Sequence, residues 1–121
     1  MKIASNSGDH EFQTREEIAD FIRKSALNPY DDIWICGTED YPCLAILVNG
    51  DLACVHYFLN DQGDMWQSVG NREEDVLFSV ADYPPNSMPG DCVISLDEAI
   101  ACVNQFFDTL QRPDCIKWRE L

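Results

Sequence analysis

What this sequence has least of is positive charge. Between residues 25 and 111 there is a single base, Arg72, against 15 acids, so this stretch carries the net −14 of the whole chain. The two ends, 1–24 and 112–121, nearly balance. Phosphate binding needs Lys and Arg, so neither nucleic acid nor an anionic membrane is an expected partner. The same field attracts basic partners and speeds their association. Solubility alone also favours acids on a small protein, and that is the plainer reading.

Other absences narrow the class further. There is no run of about 18 apolar residues, so no membrane span is expected. Residues Met1 to Asp9 lack the apolar stretch of a secretory signal. The six cysteines are therefore expected as free thiols in a reducing cytoplasm. No Cys-x-x-Cys pair is present, which removes the usual spacing for zinc or thioredoxin-type chemistry. Cys43, Cys54 and Cys102 read as small buried apolar residues. No nucleophile elbow, phosphate-binding loop, dinucleotide fingerprint or His-Glu-x-x-His occurs. Of two histidines, His10 lies in a polar terminus expected to be mobile. His56 falls mid-strand, where a packed role outweighs a catalytic one. Neither catalytic residues nor a metal or cofactor site is expected, and the chain does not read as an enzyme.

What is present suffices for one globular domain over residues 1–121, at 45% apolar. Thr14-Arg15-Glu16-Glu17 is a capping box opening a helix with Ile18, Phe21, Ile22 and Ser25 on one face, stopped by Asn28-Pro29. Strands are expected at Ile33–Cys36, Pro42–Val48, Leu52–Leu59, Met65–Val69 and Val76–Val80. The second is almost wholly apolar, so it should be central and covered on both faces. Asn49-Gly50 predicts a two-residue type I′ hairpin with Val48 opposite Asp51, Leu47 opposite Leu52, Ala45 opposite Cys54 and Cys43 opposite His56. Residues 81–91, rich in proline, read as an irregular loop. Ser95-Leu96-Asp97-Glu98 is a second capping box, and its helix carries Ala99, Ile100, Val103, Phe106, Phe107 and Leu110 on one face. Arg112-Pro113 ends that helix, and Ile116–Trp118 is a last strand. The expected fold is α+β: an antiparallel meander sheet of about five to six strands flanked by an N-terminal and a C-terminal helix, in the order α-β-β-β-β-β-α-β.

The acids concentrate at Asp61, Asp64, Glu73, Glu74 and Asp75. EF-hand spacing is missing, and abundance of acids is no sign of a tuned glycosidase pair. A solvated face and a surface meeting Lys and Arg of a partner both remain. Trp66 and Tyr83 stand among these acids as interface anchors would. Trp66 reads equally well as a core side chain.

The last thirty residues carry a resemblance. Cys92-Val93-Ile94-Ser95, Gln105-Phe106-Phe107, Gln111-Arg112-Pro113 and Ile116-Lys117-Trp118-Arg119-Glu120-Leu121 resemble the end of a family of small bacterial immunity proteins that guard against polymorphic secreted toxins. The likeness is nearest to immunity proteins of cytosine deaminase toxins acting on DNA, and extends more loosely through residues 42–58 and the first helix. It implies a cytoplasmic, non-catalytic protein, monomeric when free, that binds a cognate toxin domain one-to-one and blocks its basic substrate face. Arg112-Pro113 before the Trp strand is structural in that pattern. The candidate toxin contacts are Asp61, Asp64, Trp66, Glu73, Glu74, Asp75, Asp82 and Tyr83. The alternative is an acidic secretion chaperone, usually dimeric, holding an effector segment.

Overall fold

A computed structural model of the chain describes residues 1–5, 8–27, 31–78 and 86–121. In chain order its elements are β1 (Lys2–Ser5), β2 (Gly8–Glu11), α1 (Arg15–Leu27), β3 (Asp31–Cys36), β4 (Cys43–Asn49), β5 (Leu52–Phe58), β6 (Met65–Ser68), β7 (Val76–Phe78), β8 (Asn86–Met88), a 3₁₀ turn (Gly90–Cys92), β9 (Ile94–Ser95), α2 (Leu96–Thr109) and β10 (Trp118–Glu120). The main sheet runs β10-β6-β5-β4-β3-β1-β2, with β9 also paired to β5. All of its pairings are antiparallel. The α+β class and the meander of β3 to β6 are as expected. The strand count and the starting element are not.

The N-terminus corrects the expected order. It forms a hairpin, β1–β2, that extends the sheet beyond β3. One apolar residue is enough to seat it: Ile3 is buried opposite Ile35. A strand carrying one buried side chain leaves almost no alternation to read. His10 accordingly lies in β2, with its ring 4.8 Å from that of Phe21, rather than in a mobile tail.

The hairpin between β4 and β5 also departs from expectation. Asn49 pairs with Leu52, Val48 with Ala53, Leu47 with Cys54, Ala45 with His56 and Cys43 with Phe58. The loop residues are Gly50 and Asp51, not Asn49 and Gly50. Gly50 has φ +62° and Asp51 has no positive φ, the pattern of a type II′ turn with glycine first. The register moves by two residues, so each side chain keeps its face.

Both helices pack on one face of the sheet. The cap of α1 forms as read: Glu17 N–H donates to Thr14 Oγ1 at 3.2 Å, and Thr14 N–H donates to Glu17 Oε1 at 3.2 Å. The end of that helix at Asn28-Pro29 lies outside the described residues. The Ser95–Glu98 box of α2 is likewise reciprocal, at 3.1 Å in both directions. Ile18 and Ile22 of α1, with Ala99, Val103 and Phe106 of α2, close over Ile33, Ile35, Leu44, Ile46, Val48 and Val55. Leu110 is not on that helical face. It caps α2 in the left-handed region at φ 53°. Trp118 of β10 donates its indole N–H to the Pro113 carbonyl at 2.6 Å, so the Arg112-Pro113 junction is a structural clasp.

Among the described residues, the second face of the sheet is only half covered. β7 and β8 pair as a separate ribbon, with Val76 opposite Met88, and pack Val76 and Phe78 over Leu47 and Cys54. Part of the expected 81–91 loop is thus ordered as β8 and the 3₁₀ turn. The stretch 79–85 lies outside the described residues. Among the described residues, no helix is long and apolar enough to cross a membrane.

Candidate functional site

Among the described residues, the other half of the second face has no layer over it. Its side chains follow from strand parity: Lys2 and Ala4 from β1, Trp34 and Cys36 from β3, Cys43 and Ala45 from β4, His56 and Phe58 from β5, Met65 and Gln67 from β6. Trp34 and Phe58 stand two strands apart, yet their rings stack at 5.2 Å. They meet because the strand between them carries only Ala45 and Cys43 on this face. These two small residues are each 5% exposed, buried beneath the rings rather than beneath another element. The expected cover on both faces of β4 is therefore real at Leu47 and is supplied by neighbouring side chains at Ala45 and Cys43. Trp34 itself is 40% exposed. Beside it lies a depression of about 570 Å³ bounded by Lys2, Ala4, Asp9, Glu11, Trp34 and Asp40.

The charges around this face are unequal in their engagement. Its bases are already held: Lys2 pairs with Asp40 at 3.4 Å, and Arg119 with Asp91 at 3.4 Å. Asp9 and Glu11 are exposed on β2, and neither joins an ion pair among the described residues. His56 Nε2 lies 3.1 Å from the Gln67 side-chain nitrogen. That amide nitrogen can only donate, so His56 Nε2 accepts. Burial lowers the pKa of His56 and favours the same neutral form. A neutral ring in the aromatic row, 6.2 Å from Phe58, is a packed histidine.

The structure divides the expected contact residues. Asp61 and Asp64 lie in the turn before β6, where Asn60 Nδ2 donates to Asp64 Oδ2 at 2.9 Å. Glu73, Glu74 and Asp75 lie beyond the other end of β6, all exposed. Their loop is held by two close approaches. A Cβ on Gly70 would fall 1.7 Å from the Val93 carbonyl oxygen, and one on Gly90 would fall 2.4 Å from that of Glu74. Gly70 N–H also donates to the Asp91 carbonyl at 2.8 Å. Trp66 points to the helix side, half-buried, 5.7 Å from the Tyr57 ring and with the Arg112 guanidinium 4.8 Å over its own. That packing supports the core reading of Trp66. Asp82 and Tyr83 lie outside the described residues.

The six cysteines are free thiols. Cys54 and Cys92 approach to 3.6 Å between sulfurs, as do Cys102 and Cys115, while Cys36 and Cys43 face each other across β3 and β4. A disulfide needs about 2.05 Å, so the two 3.6 Å approaches are contacts between thiols. The hydrogen bond to Cys92, then burial, push the Cys54 thiol far up, and the same bond lowers Cys92. Burial pushes Cys43 up to about 11. Among the described residues, no three His, Cys, Asp or Glu side chains converge as metal ligands would.

Trp34 and Phe58 are what sequence reading passed over. The signal was available in strand parity: Ile33 and Ile35 alternate with Trp34, as Val55 and Tyr57 do with His56 and Phe58. With one face assigned to the helices, the alternate aromatics fall on the other.

This molecule, a helix-backed antiparallel sheet with an acidic, half-bare second face, matches the family described as Immunity protein Imm1 over residues 6–120, and the chain belongs to that family. The chain is also 28% identical over 121 residues to a double-stranded DNA deaminase immunity protein of Burkholderia cenocepacia (strain H111), covering 94% of each chain. The resemblance carried by the C-terminal residues thus extends along nearly the whole sequence.

Proposed function

We propose that this chain protects a bacterial cytoplasm by binding a basic DNA-deaminase toxin domain one-to-one and covering the face that takes up nucleic acid. The observation that carries this reading is the likeness to a deaminase immunity protein along 94% of both chains. Physical chemistry supplies the mechanism. An enzyme that draws a base from DNA must also hold phosphates, so its active-site rim needs Lys and Arg. A chain with 15 acids and one base between residues 25 and 111 offers that rim a competitor for phosphate. Asp61, Asp64, Glu73, Glu74, Asp75 and Asp82 are the acids proposed to pair with it, with Tyr83 proposed to fill an apolar gap. Protection by occlusion needs neither catalysis nor a cofactor. Membership in Imm1 favours this role over the secretion-chaperone alternative.

The test is deamination of double-stranded DNA by the purified toxin domain with the protein titrated in. Activity should vanish at one equivalent, and undiminished activity at tenfold excess would overturn the reading. The triple reversal Glu73→Lys/Glu74→Lys/Asp75→Lys should slow association about tenfold at low salt, with the gap closing as salt rises. Salt-independent, unchanged kinetics would remove that loop from the interface.

A further inference from the structure

We propose that the bare half of the second sheet face, centred on the stacked Trp34–Phe58 pair, is the surface that seats the toxin. This rests on the immunity reading above and adds to it the place of contact and the chemistry of the contacting group. Four features bear on it.

The first is exposure. Trp34 is a tryptophan in the middle of a sheet, 40% exposed, with no element of the fold above it among the described residues. Tryptophan is the residue most enriched where binding energy concentrates, and a ring already stacked on Phe58 has lost its rotamer freedom before a partner arrives. The second is shape. The depression of about 570 Å³ beside Trp34 gives an incoming side chain a seat between the N-terminal hairpin and the ring.

The third is charge. Lys2 and Arg119, the bases on this face, each stand 3.4 Å from a carboxylate of the chain, which leaves the balance of charge negative. Asp9 and Glu11 border one edge. The loops 37–42 and 59–64 leave the sheet at the same end because β3 to β6 are antiparallel, which places Asp61 and Asp64 at the Phe58–Met65 border. An aromatic ring framed by carboxylates suits an arginine above all. Its guanidinium stacks on the indole while its N–H fork meets a carboxylate, and the surface of a nucleic-acid enzyme is rich in arginine.

The fourth is size. Five strands, β1 to β6 without β2, make the bare region about 19 Å wide at ~4.8 Å per strand and about 10–13 Å long. That is on the order of 200–250 Å², the extent of a hot-spot cluster and short of the ~800 Å² each partner contributes to a standard interface. The acidic rim must therefore take part, and the occupant has to be a folded basic surface rather than one extended peptide.

The experiment measures affinity and association rate for a catalytically inactive form of the DNA deaminase domain that co-purifies with the wild-type chain, together with the melting temperature of every variant. Trp34→Ala should weaken binding about 30-fold or more, chiefly through faster dissociation. Asp9→Lys/Glu11→Lys, which touches no core residue, should slow association several-fold, more so at low salt. Leu27→Ala, an exposed apolar residue on α1, should change affinity less than twofold. If the wild type neither binds nor inhibits a deaminase domain, the immunity reading itself falls and this placement with it. If the wild type inhibits but Trp34→Ala and the double reversal bind within threefold of it while keeping their melting temperatures, only the placement is overturned. Should Trp34→Ala lower the melting temperature substantially, the double reversal decides alone.

Discussion

The two faces of the sheet solve the same problem differently. On one, isoleucine, leucine and valine from five strands disappear beneath two amphipathic helices. On the other, a short ribbon covers Leu47 and Cys54, and beyond it aromatic rings shelter an alanine and a cysteine. The first face is an ordinary core, where each side chain is surrounded and volume matters to the methylene. The second keeps a tryptophan accessible and holds it still. The core and the proposed toxin seat therefore lie on opposite sides of the same strands, separated only by the two-residue period of the chain.

The sharpest way to break this comparison is to truncate one large side chain on each side. Phe106→Ala removes a fully buried ring beneath α2 and should cost about 3–5 kcal/mol in urea unfolding. Trp34→Ala should cost less, about 1–2 kcal/mol, because its ring is part-exposed and the cavity it leaves is open. Equal losses would mean that the second face is core after all. Next in size, Gly70→Ala should cost about 2–3 kcal/mol, because its methyl would be driven into the Val93 carbonyl. Faster backbone hydrogen exchange across 70–75 should accompany it, since that contact holds the Glu73–Asp75 loop. The smallest effect concerns His56. Burial lowers its folded pKa below the ordinary 6.5, so the unfolded chain binds the extra proton first. Its contribution is complete above about pH 6.5 and is lost as pH falls towards the folded value. The stability difference between wild type and His56→Gln should therefore narrow or reverse between pH 7.5 and 5.5. A pH-independent difference would place the ring in water.

The legible parts were those decided within a few residues. Both capping boxes, Thr14–Glu17 and Ser95–Glu98, form as their side chains dictate. The hairpin was located by Asn49-Gly50, yet its register was misjudged because glycine accepts positive φ in either central position of a turn, and the flanking pairs decided between them. The N-terminal strands were missed because one isoleucine carries their burial. The core packing of Trp66 was one of two open readings, and only its neighbours Tyr57 and Arg112 show where the ring goes.

By itself the sequence determined the charge of the chain, the start of each helix, the apolar centre of the sheet and, through its C-terminal pattern, the family. These depend on composition or on contacts a few residues apart. Tertiary structure alone decided which face the helices take, that Lys2 and Arg119 meet carboxylates from distant segments, and that Trp34 meets Phe58 across Ala45. Each of these joins residues far apart in the chain, and no local preference encodes such a meeting until the strands have found their register.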